Sequence, residues 1–211
     1  MKISGNLWVK RALLALSIGA LISAHPLFAQ ETIVAIRHAE KPPDGLGQLT
    51  CRGLNRALAL PQVLIPRFGR PAAIYAPDPA VEVNDGSHQE YSYVRPLITI
   101  EPTAIALGMP VNAEIGFTDI AKLQSELTAP RYEHALIFVA WEHLKLNEFA
   151  RQMLRTYGDN PSDVPYWPNN DYGRIYLFTI THNGGKPKLT FRVEHEGLNG
   201  SLSDNCPGPA R

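Results

Sequence analysis

Short runs of β-prone apolar residues recur along the chain, each about the length of one buried strand. They occupy residues 33–36, 72–76, 135–140, 174–181 and 188–193. The Asn183-Gly184-Gly185 segment between the last two runs is typical of a β-hairpin turn. Residues 109–111 predict a further edge strand or extended segment.

Segments with helical spacing of apolar residues separate these runs. They cover residues 51–60, 91–107, 117–127 and 144–157. Thr50 is suited to cap the first helix, and Pro61 weakens the middle of this helix and predicts a kink or break there. Residues 77–89 and 160–172 are rich in turn-forming residues and predict long loops. The alternation predicts an α/β fold, a three-layer α/β/α sandwich with a mostly parallel central sheet.

The start of the chain has the pattern of a cleavable signal peptide. Three basic residues precede an apolar stretch at residues 12–24, which is too short to span a bilayer comfortably. Pro26 ends the stretch, and cleavage is expected near Ala29. We therefore predict a signal peptide over residues 1–29 and a single domain over residues 30–211. The protein would be periplasmic or secreted, without stable membrane association after cleavage; an uncleaved anchor is the weaker alternative.

Composition and charge limit the classes of partner that the protein is expected to bind. The 211 residues are 45% hydrophobic with a formal net charge of zero. Cleavage near Ala29 would leave 17 basic and 20 acidic residues, a net charge of −3. No basic footprint for nucleic acid is present. The sequence contains no feature that predicts the oligomeric state.

Cys51 and Cys206 are the chain's two cysteines. An even count in an exported protein favours a disulfide, which would tie the C-terminal tail to the start of the first helix. Two free buried thiols are the alternative.

The first apolar run leads directly into Arg37 and His38. Open α/β sheets place reactive groups at the carboxyl ends of their strands. A guanidinium group suits a phosphate dianion, and an imidazole is a competent nucleophile. The dipeptide alone is equally consistent with a strand that ends in two ordinary polar residues.

Four blocks in order resemble the histidine phosphatase superfamily, which has a phosphoglycerate-mutase-like fold. The first is Arg37-His38, and the second is Leu49-Thr50 with Gly53 and Arg56-Ala57. The third is Arg95 with Thr99 and Gly108, and the fourth is an apolar strand followed by His143. The chain departs from the family pattern in having Ala39 where Gly is usual and Leu144 after His143, which indicates a divergent member.

The resemblance implies a role for each matching residue. His38 would be the nucleophile that forms a phosphohistidine, and Arg37 and Arg95 would bind the phosphate oxygens. His143 would be the fourth member of the pocket, protonated and facing the same phosphoryl group. The substrate would be a small phosphorylated molecule, and we expect no cofactor and no metal.

The acid that protonates the leaving group has three candidates, Glu142, Glu114 and Asp119. Asp119 has about the spacing from Gly108 that the family's acidic residue has. Glu142 adjoins His143, although neighbouring side chains on a strand face opposite ways. Glu114 is most simply a solvated surface carboxylate. The resemblance also allows that no acid is needed for substrates with good leaving groups.

The function expected from these residues is hydrolysis of a phosphomonoester by an exported phosphatase. A non-catalytic protein that binds phosphate or a phospholigand on the same fold is the alternative. The full set of Arg37, His38, Arg95 and His143 favours the enzyme, because a binding module needs no nucleophile. A mutase is a poorer third option, since its glycolytic substrates are cytoplasmic.

Overall fold

A mixed sheet lies at the centre of the computed structural model, which describes residues 30–84, 89–182 and 185–208. The predicted signal peptide, residues 1–29, lies outside the described residues. The strands are β1 (Gln30–Arg37), β2 (Ala73–Pro77), β3 (Glu82–Val83), β4 (Tyr91–Ser92), β5 (Asn112–Ile115), β6 (Leu136–Trp141), β7 (Arg174–Thr181) and β8 (Lys188–His195). Six of them form the central sheet in the order β5-β2-β6-β1-β7-β8, and β3 pairs with β4 separately.

The sheet is parallel over four neighbouring strands. β6 pairs in parallel with both β1 and β2, and β2 pairs in parallel with β5. β7 runs antiparallel to β1, and β8 antiparallel to β7. The mostly parallel sheet predicted from the sequence is therefore confirmed. β1 and β6 are continuous apolar runs because helices cover both of their faces.

The helices are α1 (Cys51–Phe68), α2 (Arg95–Leu107), α3 (Ile120–Leu127) and α4 (His143–Tyr157). Leu60 of α1 and Ile100 of α2 are buried in one apolar cluster with Phe138 of β6. Leu123 of α3 and Phe149 of α4 belong to the cluster on the other face. Two apolar clusters, one on each face of the sheet, confirm the three-layer α/β/α sandwich. Among the described residues, no helix is long and apolar enough to cross a membrane.

Several predicted boundaries were wrong. α1 continues through Pro61 as one helix of 18 residues, because apolar side chains on both sides of the proline are buried against the sheet. α2 begins at Arg95 rather than at residue 91, since residues 91 and 92 form β4 and Pro96 occupies the first turn. The edge strand after α2 is β5, slightly later than predicted. α3 begins at Ile120, where Asp119 caps it.

The C-terminal tail is fastened to α1. Cys51 and Cys206 form the predicted disulfide. The Arg52 side chain donates hydrogen bonds to the carbonyl oxygens of Asn199 and Leu202, at 2.7 and 2.8 Å. The predicted hairpin between β7 and β8 is present, with Thr181 opposite Lys188. Its Asn183-Gly184 pair lies outside the described residues.

Candidate active site

A cavity of about 480 Å³ opens at the carboxyl edge of the parallel strands. β1 and β6 lie side by side and in parallel, so the segments that follow them meet at this edge. The cavity brings together Arg37, His38, Arg95 and His143, the four residues that the sequence placed in one pocket. Its other lining residues are Lys41, Pro42, Pro43, Glu142, Leu144, Asn169 and Tyr172.

His38 is held in one tautomer by the backbone. Its Nδ1 lies 2.8 Å from the carbonyl oxygen of Ala39. A carbonyl oxygen only accepts hydrogen bonds, so Nδ1 carries the proton and Nε2 keeps its lone pair. The Ala39 N–H donates to Thr99 Oγ1 at 2.9 Å, which helps to fix the residue whose carbonyl is this acceptor.

The His38 ring is almost completely buried, with 1% of its surface exposed. Burial lowers its pKa well below the ordinary value, and the positive charges of Arg95 and Arg37 lower it further. The imidazole is therefore neutral near pH 7. A neutral ring with an unprotonated Nε2 is the form that can attack an electrophile.

Arg37 is fixed by the loop that precedes β7. Its Nη1 donates to the carbonyl oxygens of Asn169 at 2.7 Å and Asp171 at 3.2 Å. Its guanidinium carbon lies 3.9 Å from the centre of the Tyr172 ring. Burial lowers the pKa of Arg37, although the group stays charged at any physiological pH. Within the described part of the chain, its buried Nε has no hydrogen-bond partner.

Arg95 approaches His38 from the first turn of α2. Its Nε lies 3.4 Å from His38 Nε2, and its guanidinium carbon lies 4.6 Å from the centre of the Tyr93 ring. Thr99 Oγ1 donates to the Arg95 carbonyl oxygen at 2.7 Å while it accepts from Ala39 N–H. The Arg95 and Thr99 spacing seen in the sequence therefore ties α2 to the His38 segment.

His143 is the first residue of α4, not the end of a strand as the sequence suggested. Its Nε2 lies 2.8 Å from Asn169 Oδ1, and its Nδ1 lies 2.5 Å from Glu142 Oε1. Glu142 is the helix cap, and its Oε2 accepts from Lys145 N–H at 2.8 Å. Strand alternation does not apply here, so Glu142 and His143 contact each other directly.

Glu142 is ionised in this arrangement. Burial acts to raise its pKa, but the hydrogen bond with His143 and those from the backbone N–H groups of Leu144 and Lys145 together hold it below the ordinary value. Both carboxylate oxygens already have partners. Asp119 lies outside the cavity lining, where its side chain accepts from Lys122 N–H, and Glu114 is exposed on β5.

Sequence reasoning missed Asn169, Tyr172 and Lys41, which also line the cavity. Asn169 and Tyr172 lie in the segment predicted only as a long loop. These two residues reach the cavity because the loop passes the end of β1. No local sequence pattern predicts that path. In the described ranges, no group of three or more His, Cys, Asp or Glu side chains is placed to hold a metal ion.

The strand order and the two helical layers are those of a phosphoglycerate-mutase-like fold, which this chain shares with solved phosphatase structures. No protein-family model and no curated protein sequence matches this chain. The likeness to solved structures is therefore one of fold.

Three solved structures, of two proteins, illustrate the likeness. The SixA protein of Nakamurella multipartitia, proposed to be a phosphohistidine phosphatase, has a TM-score of 0.54 and 15% sequence identity. It matches over 79% of this chain and 96% of its own. The mycobacterial glucosyl-3-phosphoglycerate phosphatase Rv2419c has a TM-score of 0.53 and 12% identity, over 78% of this chain and 98% of its own. A structure of the same mycobacterial protein with VO3 has a TM-score of 0.51 and 11% identity, over 78% and 99% of the two chains.

Proposed function

We propose that this chain is a phosphatase that hydrolyses a small phosphomonoester through a phosphohistidine on His38. The observation that carries the proposal is the state of His38 Nε2. The Ala39 carbonyl leaves this nitrogen with its lone pair, and burial beside Arg37 and Arg95 keeps the ring neutral. The same two guanidinium groups can bind the phosphate that the nitrogen attacks.

The reaction has two displacements at phosphorus. In the first, His38 Nε2 forms a bond to phosphorus, and the bond between phosphorus and the leaving oxygen breaks with its electron pair on that oxygen. In the second, water attacks phosphorus, the P–N bond breaks, and inorganic phosphate leaves. Arg37 and Arg95 donate to the non-bridging oxygens throughout. His143 lies beside them, with Nδ1 2.5 Å from Glu142 Oε1 and Nε2 2.8 Å from Asn169 Oδ1.

Glu142 serves better as an orienting group than as the leaving-group acid. A carboxylate whose pKa is lowered and whose two oxygens both have partners has no proton to give. Asp119 caps α3 instead of lining the cavity. The site therefore favours substrates whose leaving oxygen departs with little protonation, such as aryl phosphates.

We also propose that the protein acts outside the cytoplasm on a small phosphorylated molecule. The Cys51–Cys206 disulfide is compatible with an oxidising compartment. The VO3 complex of the mycobacterial phosphatase supports a small phosphate-like ligand for a cavity of this fold.

The test is turnover of aryl and alkyl phosphomonoesters by the mature chain. Parent protein, His38→Ala and His195→Ala are compared; His195 is an exposed residue at the end of β8. We expect His38→Ala to lose several orders of magnitude in kcat and His195→Ala to match the parent. Rapid quenching should trap an acid-labile, base-stable phosphoenzyme in the parent. Binding of phosphate without any turnover would favour the non-catalytic alternative.

A further inference from the structure

A second cavity, also of about 480 Å³, adjoins the catalytic cavity and shares Arg95, Glu142 and Leu144 with it. We call it the side cavity. It is further lined by Glu82, Val83, Tyr93, Phe117, Lys145 and Glu148. A substrate whose phosphate lies against His38 and Arg95 can extend its leaving group into this space.

One wall of the side cavity is aromatic. The ring centres of Tyr93 and Phe117 are 5.0 Å apart, and Tyr93 lies 6.2 Å from the His38 ring. Trp141 Nε1 donates to the Phe117 carbonyl oxygen at 2.9 Å, which fixes Phe117 against β6. Tyr93 is fully buried, so Phe117 is the ring that remains accessible, and its fixed position favours a flat apolar group next to the reacting phosphate.

Among the described residues that line the side cavity, three of the charged side chains have ion-pair partners and Glu82 has none. Lys145 Nζ lies 2.8 Å from Glu148 Oε2, and Glu142 is paired with His143. Glu82 is exposed on β3, and no Lys, Arg or His among the described residues forms an ion pair with it. Its carboxylate is therefore a negative charge that no cation of the described lining neutralises.

We propose that the side cavity binds the leaving group and selects an aromatic group that carries a positive charge over one that carries a second anion. This inference rests on the proposed phosphatase activity. Phe117 supplies the surface for the ring, with the buried Tyr93 packed behind it, and Glu82 supplies the charge discrimination. A cationic group near Glu82 is attracted, whereas a carboxylate or second phosphate is repelled.

Two aryl phosphates of equal size and opposite side-chain charge test the inference. They are the phosphate ester of tyramine and that of 4-hydroxyphenylacetate. We expect kcat/KM for the amine to exceed that for the acid by about fivefold or more, because one charge pair at contact in water is worth roughly that factor. The ratio should fall toward 1 in Glu82→Gln and in high salt. Glu101→Gln, an exposed change on α2, should leave the ratio unchanged.

A ratio of 1 in the parent, or a ratio that Glu82→Gln does not alter, would overturn the inference while the phosphatase activity stands. Loss of all turnover would instead contradict the proposed function. To separate the two, calorimetry can measure binding of both esters to His38→Ala. A preference for the amine ester that disappears in the His38→Ala, Glu82→Gln double variant supports the side cavity without any turnover.

Phe117→Leu provides an independent readout of the aromatic wall. It should raise KM for phenyl phosphate several-fold and leave KM for a small alkyl phosphate unchanged, because only the aryl group contacts the ring. An equal effect on both substrates would contradict the assignment of the wall to the leaving group.

Discussion

Arg56 and Glu40 form a two-pronged ion pair beneath the His38 segment. Arg56 Nη2 lies 2.7 Å from Glu40 Oε1, and Nε lies 3.0 Å from Oε2. Arg56 Nη1 also lies 2.6 Å from Glu196 Oε2, so one buried guanidinium joins two carboxylates. Glu40 is next to Ala39, whose carbonyl sets the tautomer of His38. The pair therefore connects α1 and the C-terminal segment to the nucleophile.

Arg56→Met should be strongly destabilising because it removes the ion-pair partner of the buried Glu196 and leaves Glu40 with Arg52 alone, at 3.4 Å. We expect the free energy of unfolding in urea to fall by about 3–5 kcal/mol, as for other buried pairs that lose one member. Arg67→Met removes an exposed pair with Glu194 and should lose at most about 1 kcal/mol. If the two variants lose the same free energy of unfolding, burial does not make the Arg56 ion pairs more important for stability than the exposed pair.

Glu31 predicts a pH-dependent stability. Burial, followed by the charge of Glu133, raises its pKa from 4.5 to about 8. The folded state therefore binds this proton more tightly than the unfolded state does. The contribution of the group to stability is complete below pH 4.5 and is lost as the pH rises to about 8.

Glu31→Gln should accordingly stabilise the fold more at pH 8.5 than at pH 5. The difference should be about 2 kcal/mol, less than the full shift implies because the fold can relax and admit water when a buried carboxylate ionises. Thermal unfolding at both pH values measures it, with Glu101→Gln as the exposed control. A gain of the same size at both pH values would contradict the assignment of the raised pKa to Glu31.

The disulfide should stabilise the fold without taking part in catalysis. Its loop spans 155 residues, for which the chain-entropy model gives about 4–5 kcal/mol as an upper figure. A double variant, Cys51→Ser with Cys206→Ser, should unfold at lower urea concentration. Its kcat at 25 °C should stay near the parent value, because the tail keeps its hydrogen bonds to Arg52 and Asn55. A large fall in kcat would show that the bridge supports the active site.

Much of the fold was predictable from local patterns because each strand and helix carries its own periodicity. The continuous apolar runs in β1 and β6 indicated buried parallel strands, and Thr50 marked the start of α1. The boundaries near Pro61 and Tyr91 were not predictable, since packing against the sheet and pairing with β3 outweigh local preference there.

The sequence predicted site residues in two situations. Some are adjacent in the chain, and the others lie in the four sequence blocks that resemble the histidine phosphatase pattern. Arg37 and His38 are adjacent in the chain, and the blocks brought in Arg95 and His143. The pairing of Glu142 with His143 required knowing that α4, not a strand, begins at His143. The Asn169 carbonyl oxygen accepts a hydrogen bond from Arg37, which lies more than a hundred residues earlier in the chain. No local sequence pattern predicts a contact at that separation.

The neutral state of His38 can be measured directly. Burial and the charges of Arg95 and Arg37 lower its pKa, so NMR titration should give a midpoint well below 6.5. Arg95→Gln removes one positive charge and should move the midpoint upward. A His38 midpoint at or above 6.5 in the parent would contradict the account of the nucleophile.

Asn169 offers the sharpest test of how the cavity is held together. Its backbone carbonyl accepts from Arg37 Nη1, and its side-chain oxygen contacts His143 Nε2 at 2.8 Å. Asn169→Ala keeps the backbone contact and removes only the one to His143. We expect kcat to fall about 10- to 100-fold with a smaller change in KM, since His143 loses its orientation while Arg37 remains in place.

Asn170→Ala is the matched control, because this neighbour lies in the same loop but outside the catalytic cavity lining. It should keep the parent kcat. Asn169→Asp restores an oxygen at the same position, so it should recover most of the kcat lost in Asn169→Ala. If instead Asn169→Ala and Asn170→Ala lower kcat equally, the effect belongs to the loop as a whole and His143 needs no orientation from Asn169.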